Sequence, residues 1–439
     1  MSQASKWRSR RRDAAWASFS RCSASFDMPG LYRPSGRGGI STGSSNRAAM
    51  LVTVAASLLL AQDAPNLQAM LSQVSPERLE ATVRKLASFQ TRNTLSPTLN
   101  DAAEWLAGEY NKISGVKAEL MKYTLPKGRR VPDDKEVVQV VARLEGEDDR
   151  IVLVGGHLDS LNLQVDPVTG RAPGANDDAS GTALALELAR LMSAKKWKHT
   201  LVFVGFTGEE QGLHGARALA ARAKTEGWKI DAVLNCDTVG SSANLAGQSD
   251  PFRIRVFSEE AETHKSRELA RIIEFLTRGK IQVEPDKPFG VKLVFRRDRF
   301  GRGGDHTPFA EAGFNAVRFI EVHEEYTRQH TPDDLPEHMD FAYLANVSRC
   351  VLAAMAALAD AGPTPTDVRI DMRQGHDTTV TWKPEPGTRY VVYWRETTSP
   401  VWQWSRDVGE SGTCTVEKVN KDDHIFAVGA VGGIPVAAN

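Results

Sequence analysis

Hydrophobic positions along this chain follow a helical period first and a strand period later. In SPERLEATVRKLAS (75–88), Leu79, Val83 and Leu86 share one face behind a Ser cap and a first-turn Pro, and NDAAEWLAGEYNKI (100–113) repeats the style. Short apolar runs at 137–144 (VVQVVARL) and 151–154 (IVLV), joined by the acidic turn EGEDDR, predict strands. GTALALELARLMS (181–193) predicts an amphipathic helix. A strand at 200–206, a helix around 212–224, strands at 231–237, 252–258 and 316–320, and a helix over 340–360 follow. Strands alternating with helices predict an α/β fold, a mixed sheet with helices on both faces. AGPTPTDV (361–368) reads as a linker. Beyond it, TTVTW, RYVVYWRE, VWQWS and HIFAVGAV alternate without helical stretches, which predicts a small all-β sandwich over 366–439. Trp402 and Trp404 flank one Gln and are expected on one face, either packed in a core or exposed to dock a partner or polymer.

Charge changes the picture at the amino terminus. The 439 residues carry no net charge, yet residues 1–50 hold nine Lys/Arg against two acids. The remainder has 46 basic and 53 acidic residues, so a mildly acidic body argues against nucleic acid as a partner. Residues 1–49, rich in Arg, Ser and Gly without apolar period, read as a disordered or mis-annotated extension, with translation starting at an internal Met, Met28 or Met50. Residues 50–64 have a signal-peptide layout: Arg47 as a flank, an apolar run Leu51–Leu60 too short to span a bilayer, and small Ala61 and Ala64. The expected location is secreted or periplasmic, with no membrane span in the mature chain. Cys236, Cys350 and Cys414, at unrelated spacings, suggest neither disulfides nor a CxxC zinc site.

Candidate chemistry gathers where the apolar runs stop. IVLVGGHLDS ends on His157 and Asp159, PGANDDASG brings Asp177 and Asp178 before a helix, VFVGFTGEE ends on Glu209 and Glu210, and AVLNCDTVG on Asp237; EEYTRQHTPDD adds His330. Taken singly, each has a bland reading: a structural His, a loop or helix-cap Asp (the reading kept for Asp178), a solvated Glu pair. Ligands bind outside the carboxyl ends of strands in open α/β sheets. Carboxylates converging there repel unless a cation lies between them, and imidazole with carboxylate suits zinc. The donors exceed what one tetrahedral ion needs.

This constellation resembles the M28 family of zinc aminopeptidases. GGHLDS, PGANDDASG, GFTGEEQGLHGA, NCDTVG, GGDHTPF and HTPDD stand in the family's order, within a domain expected over 66–361. The resemblance implies a zinc-exopeptidase type of fold and two Zn2+ ions. His157 and Asp237 would bind one, Glu210 and His330 the other, and Asp177 both. Asp159 would hydrogen-bond His157 and fix its tautomer. Glu209 would be the general base for a water between the ions. The implied activity is that of an exported dizinc aminopeptidase, its partner a peptide with a free N-terminus. Glu259, Glu260 and Glu321 are candidates to anchor that amine. His306 is expected to line the pocket or face the oxyanion, without ligating. Gly304 stands where many relatives have Ser, and Gln329 where some have Tyr, with Tyr326 near. Glutaminyl cyclases, carboxypeptidase-type relatives and non-catalytic receptors or scaffolds share the resemblance, and a non-peptide amide is a further substrate class. The 366–439 segment resembles a fibronectin type III module, with Trp382 at its early-strand Trp.

Overall fold

Two helices, α1 (Ala64–Ser72) and α2 (Pro76–Ser88), lead into the structure, a computed structural model that describes residues 64–439 except 167, 260, 299, 301, 302 and 374. The extension expected over 1–49 and, but for Ala64, the signal-like segment over 50–64 lie outside the described residues. Ser75 caps α2 by accepting from the Arg78 N–H at 3.2 Å. Leu79, Val83 and Leu86 are fully buried. The third helix, α3 (Thr98–Asn111), precedes the hairpin of β1 (Val116–Leu125) and β2 (Lys135–Leu144).

The rest of the sheet comes from β3 (Asp148–His157), β4 (His199–Phe206), β5 (Lys229–Cys236), β6 (Arg253–Phe257), β9 (Gly290–Val294) and β10 (Ala316–Glu321); β7 (Gln282–Glu284) and β8 (Lys287–Pro288) form a separate ribbon. The sheet order is β1-β2-β4-β3-β5-β10-β6-β9. Its four central strands, β4, β3, β5 and β10, are mutually parallel, and antiparallel pairs flank them. Parallel central strands are covered on both faces, which is why their sequences are apolar throughout. Alternation still sorts the side chains. Val152, Val154, Leu201 and Phe203 join the larger core, whereas Ile151, Leu153, Val202 and Val204 join the core on the other face.

The larger core is covered by α2, α3, α4 (Ser180–Met192), α7 (Ser266–Thr277) and α9 (Phe341–Ala359). The opposite core is covered by α6 (His214–Thr225) and α8 (His306–Glu311); a single turn, α5 (Glu209–Gly212), precedes α6. By length and composition α9 could cross a membrane, but it is a core helix here, most of it buried. Four parallel strands therefore bring their carboxyl ends side by side, and the segments after β3, β4 and β5 carry the predicted polar residues.

The carboxy-terminal strands form two antiparallel sheets. One has the order β11 (Thr366–Ile370), β12 (Thr378–Lys383), β15 (Thr413–Val416); the other β14 (Trp404–Gly409), β13 (Tyr390–Glu396), β16 (His424–Ala430), β17 (Val436–Ala437). The linker is shorter than its composition predicts, since β11 begins at Thr366. Val391, Tyr393, Trp402 and Ala427 belong to the same core as α7 and α9. Phe275 of α7 meets Tyr393 edge-on at 5.2 Å, and Arg278 donates to the Trp402 carbonyl at 2.9 Å. The shared aromatic face expected for Trp402 and Trp404 is not formed. Trp402 lies before β14 and is fully buried against the α/β region, while Trp404 is partly exposed and stacks on Trp394.

Candidate metal centre

The last residue of β3 is His157, and a fully extended buried strand leaves it little freedom. Its Nδ1 is 2.9 Å from the backbone carbonyl of Asp159, a partner that directs Nε2 forward as the free nitrogen. The Asp159 carboxylate has a different part from the one expected. It stands 3.7 Å from Nδ1 and accepts instead from the Thr94 hydroxyl at 3.0 Å and from the N–H groups of Glu209 and Glu210 at 3.4 and 3.3 Å. It thereby fastens the Glu209–Glu210 turn to the end of β3.

Asp177 and Asp178 lie on a single wide turn, Ala175–Ala179, with a cis peptide bond between them. The turn is fixed from outside. Asp334 accepts from the Asn176 and Asp177 N–H groups at 2.9 and 3.0 Å, and buried Arg92 donates to the carbonyls of Pro173 and Gly174. Asp178 uses both oxygens on protein donors: the His157 N–H, the Ser180 hydroxyl, and the Gly181 and Thr238 N–H groups. It ties β3, β5 and α4 together, in keeping with its reading as a cap residue. A Cβ at Gly181 would lie 1.9 Å from the Cys236 carbonyl, so only glycine lets α4 start this close to β5.

Asp177 faces outward with its two oxygens divided. Oδ1 is 2.9 Å from His157 Nε2, and Oδ2 is 3.1 Å from His330 Nε2 and 2.6 Å from the Gln329 amide nitrogen. Glu210 Oε1 is 3.0 Å from His330 Nε2, and Asp237 Oδ1 is 3.9 Å from His157 Nε2. All five predicted ligand residues are thus brought together, in two groups that share Asp177. Donors ~2.1 Å from a tetrahedral zinc stand ~3.4 Å apart, within the spread of these separations. These donors fit zinc by type and spacing.

Burial disfavours charge on His157 and His330, yet both are held above the ordinary imidazole value. Asp177, Asp237 and Glu209 act on His157; Asp177 and Glu210 raise His330 to about 10. The carboxylates favour positive charge at these two points. Burial pushes the Glu209 carboxyl well above the usual range; His157 opposes this and Glu210, Asp237 and Asp305 add to it. Gly208 at φ 70° and Leu213 at φ 64° bound the α5 turn, so the chain reverses sharply there and Glu209 and Glu210 diverge. Glu210 is buried beside His330. Glu209 is half-buried and lines an open cleft of about 620 Å³.

Other expectations part from the structure. His306 does not line that cleft: it is buried, its Nε2 lies 3.1 Å from the Arg297 carbonyl, and burial pushes it down to about 4. Thr307 lines the cleft in its place. Tyr326 is exposed and off the cleft, and Gln329 is the polar group beside Asp177. Glu321 is buried at the end of β10, accepting from Asn176 Nδ2 and the Ser241 N–H; Glu259 lines neither cavity, and Glu260 is outside the described residues. Arg318 is a site residue the sequence reading overlooks. Fully buried on β10, it pairs with Asp237 Oδ2 at 2.9 Å and Asp298 at 2.7 Å. A lone charge inside the apolar run AVRFI was the available signal.

Comparison with known proteins identifies the family. The sequence profile described as Peptidase family M28 matches residues 139–355. A probable zinc metalloprotease of Leptosphaeria maculans is 36% identical over 405 residues, covering 83% of this chain and 94% of that protein. A probable zinc metalloprotease of Pyricularia oryzae is 36% identical over 417 residues, covering 84% and 82%. Among solved structures, the LapA aminopeptidase of Legionella pneumophila superposes with a TM-score of 0.51 at 20% identity, covering 67% of this chain and 74% of that one. A glutaminyl cyclase of Macrostomum lignano gives 0.53 at 18% identity, covering 65% and 90%. At such identities the superpositions establish the fold. The identity to the fungal proteins over most of both chains establishes the family: this chain belongs to peptidase family M28.

Proposed function

We propose that the protein is an exported zinc aminopeptidase that binds two ions and removes N-terminal residues from peptides. The observation that carries this reading is the division of Asp177, one oxygen toward His157 and the other toward His330. In it His157, Asp177 and Asp237 would hold one ion, and Asp177, Glu210 and His330 the other. Bound zinc supplies a water acidic enough to act as nucleophile at neutral pH and charge to stabilise the oxygen of the attacked carbonyl. Glu209, free of the ligand groups, takes the proton as the water oxygen bonds to the carbonyl carbon. It passes that proton to the leaving nitrogen as the C–N bond breaks. Asp159 keeps Glu209 in place through its backbone, and Gln329 steadies Asp177.

The amine of the substrate has a fitting neighbour. Beyond Asp177 and Gln329 lies a recess of about 20 Å³, lined by Glu321 with Asn176 and Ser241. That is room for one water-sized group, which an ammonium is. Glu321 is therefore the proposed anchor. The carboxy-terminal region is proposed to be a fibronectin type III-like sandwich, a reading supported by its seven strands divided three and four.

The test is a pair of anilides, one leucyl with a free amine and its N-acetylated twin, offered to metal-stripped and zinc-reloaded protein. Zinc-dependent cleavage of the free-amine compound alone is expected. Cleavage of neither, with ammonia released from a glutaminyl substrate, would move the chain to cyclase chemistry.

A further inference from the structure

The charges lining the 620 Å³ cleft are segregated. Its four carboxylates, Asp177, Glu209, Glu210 and Asp237, all belong to the candidate metal centre. Among the described residues, every other permanently charged side chain lining it is basic: Lys127, Arg129 and Arg130 from the β1–β2 loop, with Arg217, Arg297 and Arg318. Some of this charge is answered. Lys127 pairs with Asp133 at 3.2 Å, Arg217 and Arg297 share Glu311, and Arg318 is held by Asp237 and Asp298. Arg130 donates to the Glu210 carbonyl at 2.7 Å, which pins the loop against the α5 turn. Among the described residues no carboxylate pairs with Arg129 or Arg130. Two divalent ions would cancel the four carboxylates and leave the walls as the dominant field. Across Asp177 and Gln329, the small recess is lined by Glu321, Glu324, Glu325 and Asp334 against Arg328, and even with Arg255 answering Glu324 at 2.7 Å the acids outnumber the bases. The potential thus runs from negative to positive across the centre, and a walled cleft concentrates such a field.

We infer that this cleft selects peptides whose segment on the leaving side of the cut bond is anionic, with Arg129 and Arg217 as selecting groups. The inference rests on the carboxylate cluster being the centre where the peptide bond is cut. An ammonium in the acidic recess sends the leaving segment into the basic cleft. The carboxylate it meets there is either an Asp or Glu side chain or the C-terminus of a short peptide.

The test uses the zinc-loaded full chain with Leu-Asp-Ala-amide, Leu-Lys-Ala-amide, Leu-Ala-Ala-amide and the free acid Leu-Ala, following released leucine. Attraction exchanged for repulsion at two arginines predicts kcat/KM about tenfold higher for the Asp than the Lys peptide. The ratio should shrink as salt is added, because exposed charges are screened. It should also collapse in Arg129→Glu and in Arg217→Glu; Arg129 lies on an exposed loop, so that variant reports even where the other misfolds. A gain confined to Leu-Ala over Leu-Ala-Ala-amide assigns the carboxylate to the peptide terminus. Equal rates for the Asp and Lys peptides together with no gain for Leu-Ala over Leu-Ala-Ala-amide, or a preference untouched by both variants, overturn the inference. Absence of leucine release from every peptide overturns the aminopeptidase reading instead. Fluorescence anisotropy with labelled, N-acetylated Asp and Lys peptides then still decides the cleft's preference, since binding needs no turnover.

Discussion

Glu209 and Glu210 are adjacent in sequence and unlike in surroundings, so their removal has different consequences. Glu209→Gln is expected to keep its zinc and lose about 10²- to 10⁴-fold in kcat, the usual contribution of a general base. Glu210→Gln is expected to lose bound zinc, measured by elemental analysis after dialysis. Equal zinc loss in both variants would remove the distinction in their roles. Arg318 is a stability group as well as a site neighbour. Arg318→Met removes the cation that buried Asp237 and Asp298 share, and about 3–5 kcal/mol of metal-free stability should go with it in urea titrations. Zinc should restore part of that loss, since it takes up the charge of Asp237 alone. An unchanged midpoint would mean that water reaches these carboxylates. The site was largely readable because His157, Glu209, Glu210 and Asp237 each stop an apolar run. Arg318 was not singled out, because its meaning depends on Asp298 and Asp237, far away along the chain.

At the scale of elements, α2 is held to α4 by Glu187, which is buried and receives Arg78, Arg190 and the Ser75 N–H. Burial raises its pKa, but the two guanidiniums outweigh this and leave it below the ordinary Glu value. A depressed folded-state pKa gives stability that is complete above the unfolded value and fades as pH falls through the folded one. Glu187→Gln should therefore cost about 1 kcal/mol at neutral pH, modest because Arg78 is half exposed and screened. Wild type and variant should converge in acid, and a gap that persists there would show that the loss is one of packing. The central strands were legible as apolar runs. The helix α7 was equally legible, with Leu269, Ile272, Ile273 and Leu276 at helical spacing, although the sequence reading gave it no element. By contrast, β1 carries Lys117, Glu119 and Lys122 with little apolar alternation, because it is an edge strand with a wet face.

For the whole molecule, the decisive contact is the one made across the linker. Residues 361–368 read as a linker, yet Tyr393 and Trp402, beyond it, complete the core beneath α7 and α9. Composition marks where a chain changes style and is blind to what packs across the change. Trp402→Ala is expected to cost about 3–5 kcal/mol and to lower one shared transition by calorimetry. Two separate transitions, with only the smaller one moved, would show that the parts melt independently. The same contact orders events during synthesis. Until residues 390–427 have left the ribosome, α7 and α9 carry an uncovered greasy flank, although every residue proposed for catalysis has already been made. A prematurely terminated chain would hold the full set of proposed zinc ligands and still be poorly fit to persist, so the last strands act as a seal on a finished product.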